Sequence, residues 1–203
     1  MLGIVATEPD PRTEPDPRTE PASRTEPASR TEPDPRTEPA SRIESVLRAE
    51  PILRVASFEE LDLDTLYRIL RLRVDVFIVE QECPYADLDG RDREPGALHV
   101  WFEKSGEPVA YLRVLEEPDG AARIGRVVVA PGSRGNGLAS ALMRAAIDRL
   151  GGRASRLHAQ AYLADFYTRY GYVVTGPEFL DDGIPHVPMA RPAATGGRGE
   201  PNH

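Results

Sequence analysis

Val127-Val128-Val129-Ala130-Pro131-Gly132-Ser133-Arg134-Gly135-Asn136-Gly137-Leu138-Ala139 is the stretch that decides how this chain folds. Three valines and an alanine form a short apolar run, Pro131-Gly132 breaks it, and a glycine-rich turn opens the next element. Leu138, Leu142, Ala146 and Leu150 then recur every four residues, with Ala141 and Ala145 on the neighbouring rows. The order is strand, turn, and a helix over 134–150. A strand that feeds tight backbone into a helix N-terminus gathers unpartnered N–H groups at one point, and such groups favour an anion.

Outward from this unit, apolar runs and turns alternate in both directions. Residues 98–102, 108–115 and 122–130 read as strands, joined by the turns Lys104-Ser105-Gly106-Glu107 and Glu117-Pro118-Asp119-Gly120. Upstream, 52–56 is a short strand. Asp62 then caps a helix whose apolar stripe is Leu63, Leu66, Tyr67, Leu70, Val74 and Phe77. Arg68, Arg71 and Arg73 fall off that stripe and are expected in solvent. The segment 76–81 is apolar and then abruptly polar, and a loop over 83–90 follows. Downstream, 156–160 is another strand, and a short helix over 163–170 gathers Leu163, Phe166, Tyr167 and Tyr170. Residues 172–175 and 186–189 close the sheet around a loop at 179–185. The expectation is one α+β domain over 43–191, a mixed, mostly antiparallel sheet flanked by helices.

The ends of the chain differ in kind. From Thr7 to Arg42 a six-residue unit, Thr-Glu-Pro-Asp-Pro-Arg or Thr-Glu-Pro-Ala-Ser-Arg, occurs six times without one large apolar side chain. Ordering it would cost backbone entropy with nothing to bury, so residues 1–42 are expected to be a disordered low-complexity tail. A binding role for this tail is the alternative. Residues 192–203 are expected to fray as a second tail. The formal charge of −8 argues against nucleic acid, which requires concentrated Lys and Arg. One cysteine, Cys83, excludes an intramolecular disulfide framework and a thiolate-rich metal site. The chain shows no run of 18 apolar residues and no basic, apolar leader. A cytoplasmic protein with no membrane partner, monomer or homodimer, is the expectation.

The phosphate is narrowed by what the loop lacks. A P-loop requires lysine and then Ser or Thr after the last glycine, and here Gly137 precedes Leu138-Ala139. A dinucleotide fingerprint requires glycine where Ser140 stands, and a ribose-binding acid about 20 residues on, where Leu157-His158-Ala159-Gln160 offers none. Arg134-x-x-Gly137-x-Ala139 instead resembles the acyl-CoA pyrophosphate loop of the GNAT (acyl-CoA N-acyltransferase) superfamily. Within it the chain is similar to the ElaA-like acetyltransferases. The resemblance rests on Leu72-Arg73, Val76-Phe77-Ile78-Val79-Glu80-Gln81, Cys83-Pro84-Tyr85, Asp87-Leu88-Asp89-Gly90, Asp92, His99, Tyr111-Leu112-Arg113 and Ile124-Gly125-Arg126-Val127. It resumes at Ala159-Gln160-Ala161, Phe166-Tyr167, Tyr170-Gly171-Tyr172, Asp181-Asp182-Gly183-Ile184-Pro185-His186 and Met189. The segments run in order over about 60–190, outside the repeat. Tyr170 and Tyr172 depart from the phenylalanines usual there, and both keep the aromatic packing.

The resemblance implies the GNAT fold and acetyl-CoA as co-substrate, with an amine of a small molecule or peptide as acceptor. The backbone of Arg134, Gly135, Asn136, Gly137, Leu138 and Ala139 would cradle the pyrophosphate. Arg134 either adds charge-assisted contacts or is an exposed turn arginine. Val127, Val128 and Val129 would offer backbone hydrogen bonds to the pantetheine arm, as an added strand does. Gln160 ends the next strand, where its amide binds cofactor or orients a loop.

An attacking amine of pKa near ~10.4 must first lose a proton, and a departing thiolate, of thiol pKa ~8.5, benefits from an acid. The thioester oxygen requires a donor, placed at a backbone N–H near Val128. Tyr167 matches the superfamily's helix tyrosine beside the sulfur and is the candidate acid; the alternative is a core tyrosine. Glu80 and His186 are equal candidates for the base, Glu80 through partial burial that would raise its pKa, with a water chain remaining. His99 reads as structural. Asp87, Asp89 and Asp92 form a loop that either attracts a cationic amine or is simply solvated, and their spacing does not complete a calcium loop. Cys83 is expected to be an inert, part-buried thiol. A non-catalytic acyl-CoA-binding sensor or scaffold is the competing function.

Overall fold

The computed structural model describes residues 50–83 and 85–194; the hexapeptide repeat and the chain beyond 194 lie outside them. β1 (Ile52–Ala56), β2 (Leu98–Lys104), β3 (Glu107–Glu116) and β4 (Ala122–Val129) form an antiparallel meander. Ser105 and Gly106 both have positive φ (53° and 81°). That is the backbone a two-residue hairpin requires if it is to follow the twist of its strands. From β4 the chain crosses through α2 (Leu138–Leu150) to β5 (Ser155–Gln160), which pairs parallel to β4. A short helix α3 (Ala164–Thr168) and strands β6 (Val173–Val174), β7 (Phe179–Asp181) and β8 (Ile184–Arg191) complete the domain. The sheet order is β1-β2-β3-β4-β5-β8-β6, with β7 also on β8.

Side chains alternate between the two faces of this sheet. Val100, Leu112, Ile124 and Leu157 meet Leu138, Leu142, Met143, Ala146 and Leu150 of α2 on one face. Trp101, Tyr111 and Val128 meet Ile69, Leu72 and Val76 on the other. The second set belongs to α1 (Leu63–Arg73), N-capped by Asp62, and to the turns that extend it. No helix among the described residues is long and apolar enough to cross a membrane.

Four expectations are corrected here. The stripe chosen for α1 is not its buried face: Leu63 is 85% and Tyr67 66% exposed, whereas Ile69, Leu72 and Arg73 are buried. α1 carries two apolar rows, and periodicity alone favours the longer one. Arg73, expected in solvent, is fully buried because Asp87 and Asp92 neutralise it. Helix α2 begins at Leu138, four residues later than the pattern suggested, because the residues before it form the turn. The loop at 179–185 is a β-hairpin, turning at Asp182 and Gly183 with positive φ at both.

Candidate active site

β4 and β5 pair only at Ala122↔Ser155 and Arg123↔Arg156, and then they diverge. The cause is local to β4. Tyr111 faces Val128 and Arg113 faces Gly125, so Arg126 and Val127 together oppose Leu112. This is a bulge, and Arg126 stands in the left-handed region at φ 54°. A bulge bends its strand and leaves the extra residue without a ladder partner. The ladder alternates: Ala130 N–H donates to Val109 C=O at 2.9 Å, so Val128 turns its polar groups toward β3 and Val129 turns them into the splay. Val128, one of the three valines expected to meet a pantetheine arm, therefore offers its backbone to β3 instead. Val127 and Val129 remain.

The splay opens a cleft of about 710 Å³. At one end lies the glycine-rich turn. Gly135 and Gly137 have φ of 79° and 74°, where a side chain would be strained, and no atom lies within 4 Å of where a Cβ would stand. Gly137 is the N-cap of α2 and supplies no side-chain cap. The first-turn N–H groups of Leu138 and Ala139 have no acceptor within the helix, so they are available to an anion. Asn136 Nδ2 donates back to the carbonyls of Ser133 and Arg134 (3.3 and 3.4 Å), which pins the turn. These features fit a diphosphate.

After α1 the helix widens into π turns over Val74–Glu80, closed by Gln81 N–H to Val76 C=O at 3.1 Å. This segment brings Phe77, Glu80 and Gln81 to the cleft. Glu80 accepts two bonds from Arg134, at 2.7 and 2.8 Å. Those bonds hold its carboxyl below the ordinary glutamate value. The expectation that burial would raise it is reversed, because Glu80 is exposed and paired. Gln160 Nε2 donates to Gln81 Oε1 at 3.2 Å, and Tyr162 Oη donates to Gln160 Oε1 at 2.6 Å. Sequence reasoning gave Gln81, named only within the segment 76–81, and Tyr162 no place in the site.

Tyr167 lies on the cleft wall, buried, with its ring edge-on to Phe166 and Tyr172. Burial pushes its phenol well above the usual range, so it holds its proton. His186 is paired with Gln160 across β5 and β8 and also lines the cleft. Its Nδ1 lies 2.8 Å from Ile184 C=O and donates to it, which leaves Nε2 as the ring nitrogen turned to other partners.

In the aspartate loop Asp87 and Asp92 are buried while Asp89 is exposed, and all three carboxylates are paired. Arg73 binds Asp87 and Asp92 at 2.9 and 2.7 Å. Arg113 binds Asp89 and Asp92 at 2.6 and 2.9 Å. Arg126 Nε lies 2.8 Å from Asp87 Oδ1, with its guanidinium 5.2 Å from the Tyr85 ring centre. Burial would raise the Asp89 carboxyl, but Arg113 outweighs it and brings it down to about 2. Three arginines thus neutralise three aspartates and tie the loop to the bulge. His99 is fully buried between Tyr111 Oη (2.8 Å) and Asp92 C=O (3.1 Å), a structural residue as expected. Cys83 is buried, its thiol donating to Asp182 C=O at 3.3 Å.

A splayed parallel pair beside an uncapped, glycine-rich helix start defines the acyl-CoA N-acyltransferase class of fold, and the comparisons agree. Residues 71–192 match the family model described as acetyltransferase (GNAT) domain. A UPF0039 protein of Mycobacterium tuberculosis is 47% identical over 140 residues, 67% of this chain and 90% of that protein. Protein ElaA of Escherichia coli is 38% identical over 138 residues, 65% and 90% of the two chains. The crystal structure of E. coli ElaA superposes with a TM-score of 0.67 at 35% identity, covering 70% of this chain and 99% of that one. An acyl-CoA N-acyltransferase from Pseudomonas aeruginosa superposes at 0.68 and 37% identity, with the same coverage. The chain belongs to the GNAT acetyltransferase family, among its ElaA-like members.

Proposed function

We propose that this chain is a cytoplasmic N-acetyltransferase that moves the acetyl group of acetyl-CoA to a primary amine of a small molecule or peptide, both substrates bound together. The observation that carries the reading is the divergence of β4 from β5 at the Arg126 bulge, opposite the uncapped start of α2. The turn from Arg134 to Ala139 would hold the diphosphate, and the outward backbone of Val129 the pantetheine arm. Bound acetyl-CoA supplies the acyl thioester.

The chain's own groups do the rest. A backbone N–H of β4 at the bulge donates to the thioester oxygen as negative charge grows there. Nε2 of His186 accepts the proton that the ammonium must lose before its nitrogen attacks. His186 is preferred to Glu80 as base because an imidazole is a stronger base than an exposed carboxylate, whether or not that carboxylate is paired. Tyr167, which keeps its phenolic proton, passes it to the departing thiolate. Gln160 holds the end of β5 in place through Gln81 and Tyr162.

The test is thiol release from acetyl-CoA with a panel of primary amines, alongside direct measurement of CoA binding. Acetylated product with stoichiometric thiol supports the proposal. Tight binding with no transfer to any amine would leave a non-catalytic acyl-CoA sensor or scaffold, and an absence of binding would remove the donor site itself.

A further inference from the structure

Arg134 makes contacts that acetyl transfer does not use. Nη1 and Nη2 grip Glu80, and Nε donates to the carbonyl of Val129 at 3.2 Å. All three residues line the cleft. The Val129 carbonyl points into the splay, where an incoming amide would take it as an added strand does. Arg134 stands in the turn that leads into the uncapped helix start, yet its charge is neutralised by a carboxylate. One side chain thus covers a carbonyl that pantetheine requires and withholds a cation from the diphosphate.

We infer that Glu80 is an internal competitor for the donor: it holds Arg134 across the cleft, and CoA must take Arg134 from it in order to bind. This rests on the donor-site reading above. A diphosphate brings more charge than a carboxylate and also gains the N–H groups of the turn, so the exchange runs toward CoA. The side chains of Arg134 and Glu80 are 45% and 40% exposed. Solvent screens such a pair, and it exchanges readily. Gln81 stays bonded to Gln160 meanwhile, so the segment itself need not move. Glu80 is then a positioning residue of the donor site, and its carboxylate is released to the cleft wall only once the donor is bound.

The experiment is calorimetric titration of the full chain with CoA. Glu80→Gln is expected to tighten CoA binding roughly two- to fivefold, the range of an exposed ion pair. Glu82→Gln removes a nearby exposed carboxylate that does not line the cleft, and it measures the plain effect of charge; CoA affinity is expected to stay unchanged. Arg134→Gln is expected to weaken binding, and in that background Glu80→Gln should add no more than the Glu82 control does. Unchanged or weaker binding by Glu80→Gln, or the same gain without Arg134, overturns the inference. Loss of turnover in Glu80→Gln with loss of the acidic limb of the pH profile and unaltered CoA affinity would make Glu80 the base and also overturn it. A wild-type chain that binds no CoA removes the donor-site reading, whereas wild-type binding with an inert Glu80→Gln removes this inference alone.

Discussion

Tyr167 is 7% exposed, and what remains uncovered of it faces the cleft that it lines. A phenol in this state keeps its proton and is ready to donate it to whatever enters the cleft. Tyr167→Phe is expected to lower kcat by about a hundredfold or more while CoA affinity, read by calorimetry, stays the same. Equal turnover would take the acid role away from it. His99 shows the opposite use of burial. Its pKa is lowered by desolvation, so below about 6.5 the unfolded chain takes up a proton that the folded chain refuses. Stability on this account is full above that pH and declines as pH falls through it. Urea midpoints at pH 7.5 and 5.5 are expected to differ more for the wild type than for His99→Gln.

Among the elements, α1 and β4 are each tied down by charge. Two apolar rows on α1 compete for the sheet, and the row that wins brings Arg73 inside with it, where Asp87 and Asp92 wait. Removing one member of such a network strands the others. Arg73→Ala is expected to cost about 3–5 kcal/mol in urea denaturation. Arg71→Ala, which loses only an exposed contact with Glu107, is expected to cost less than about 1 kcal/mol. The same network reaches β4 through Arg126, whose positive φ is held against its strain by Asp87 and the Tyr85 ring. The bulge that opens the cleft is therefore anchored from a loop 39 residues upstream in the chain, counted from Asp87 to Arg126.

For the whole molecule, the family match spans 71–192 and leaves the hexapeptide repeat aside. Deletion of residues 1–42 is expected to leave CoA affinity and turnover unchanged, and loss of either would give the repeat a function. The strand, turn and helix around Gly137 were legible in the sequence, as were the meander hairpins and the short helix that carries Tyr167, because each depends on local period or turn chemistry. The buried row of α1, the pairing of Glu80 with Arg134 and the neutralised aspartate loop were not. Those depend on which charges meet across 14 to 54 positions of chain, and a one-dimensional pattern carries no such distances. By itself the sequence determined the class of fold and the place of the glycine-rich turn, since backbone conformation there follows from glycine and apolar spacing. Only the tertiary structure decided which carboxylates are free, which N–H groups face the splay, and which side of each helix is inside, because burial and ion pairing are properties of residues brought together by folding.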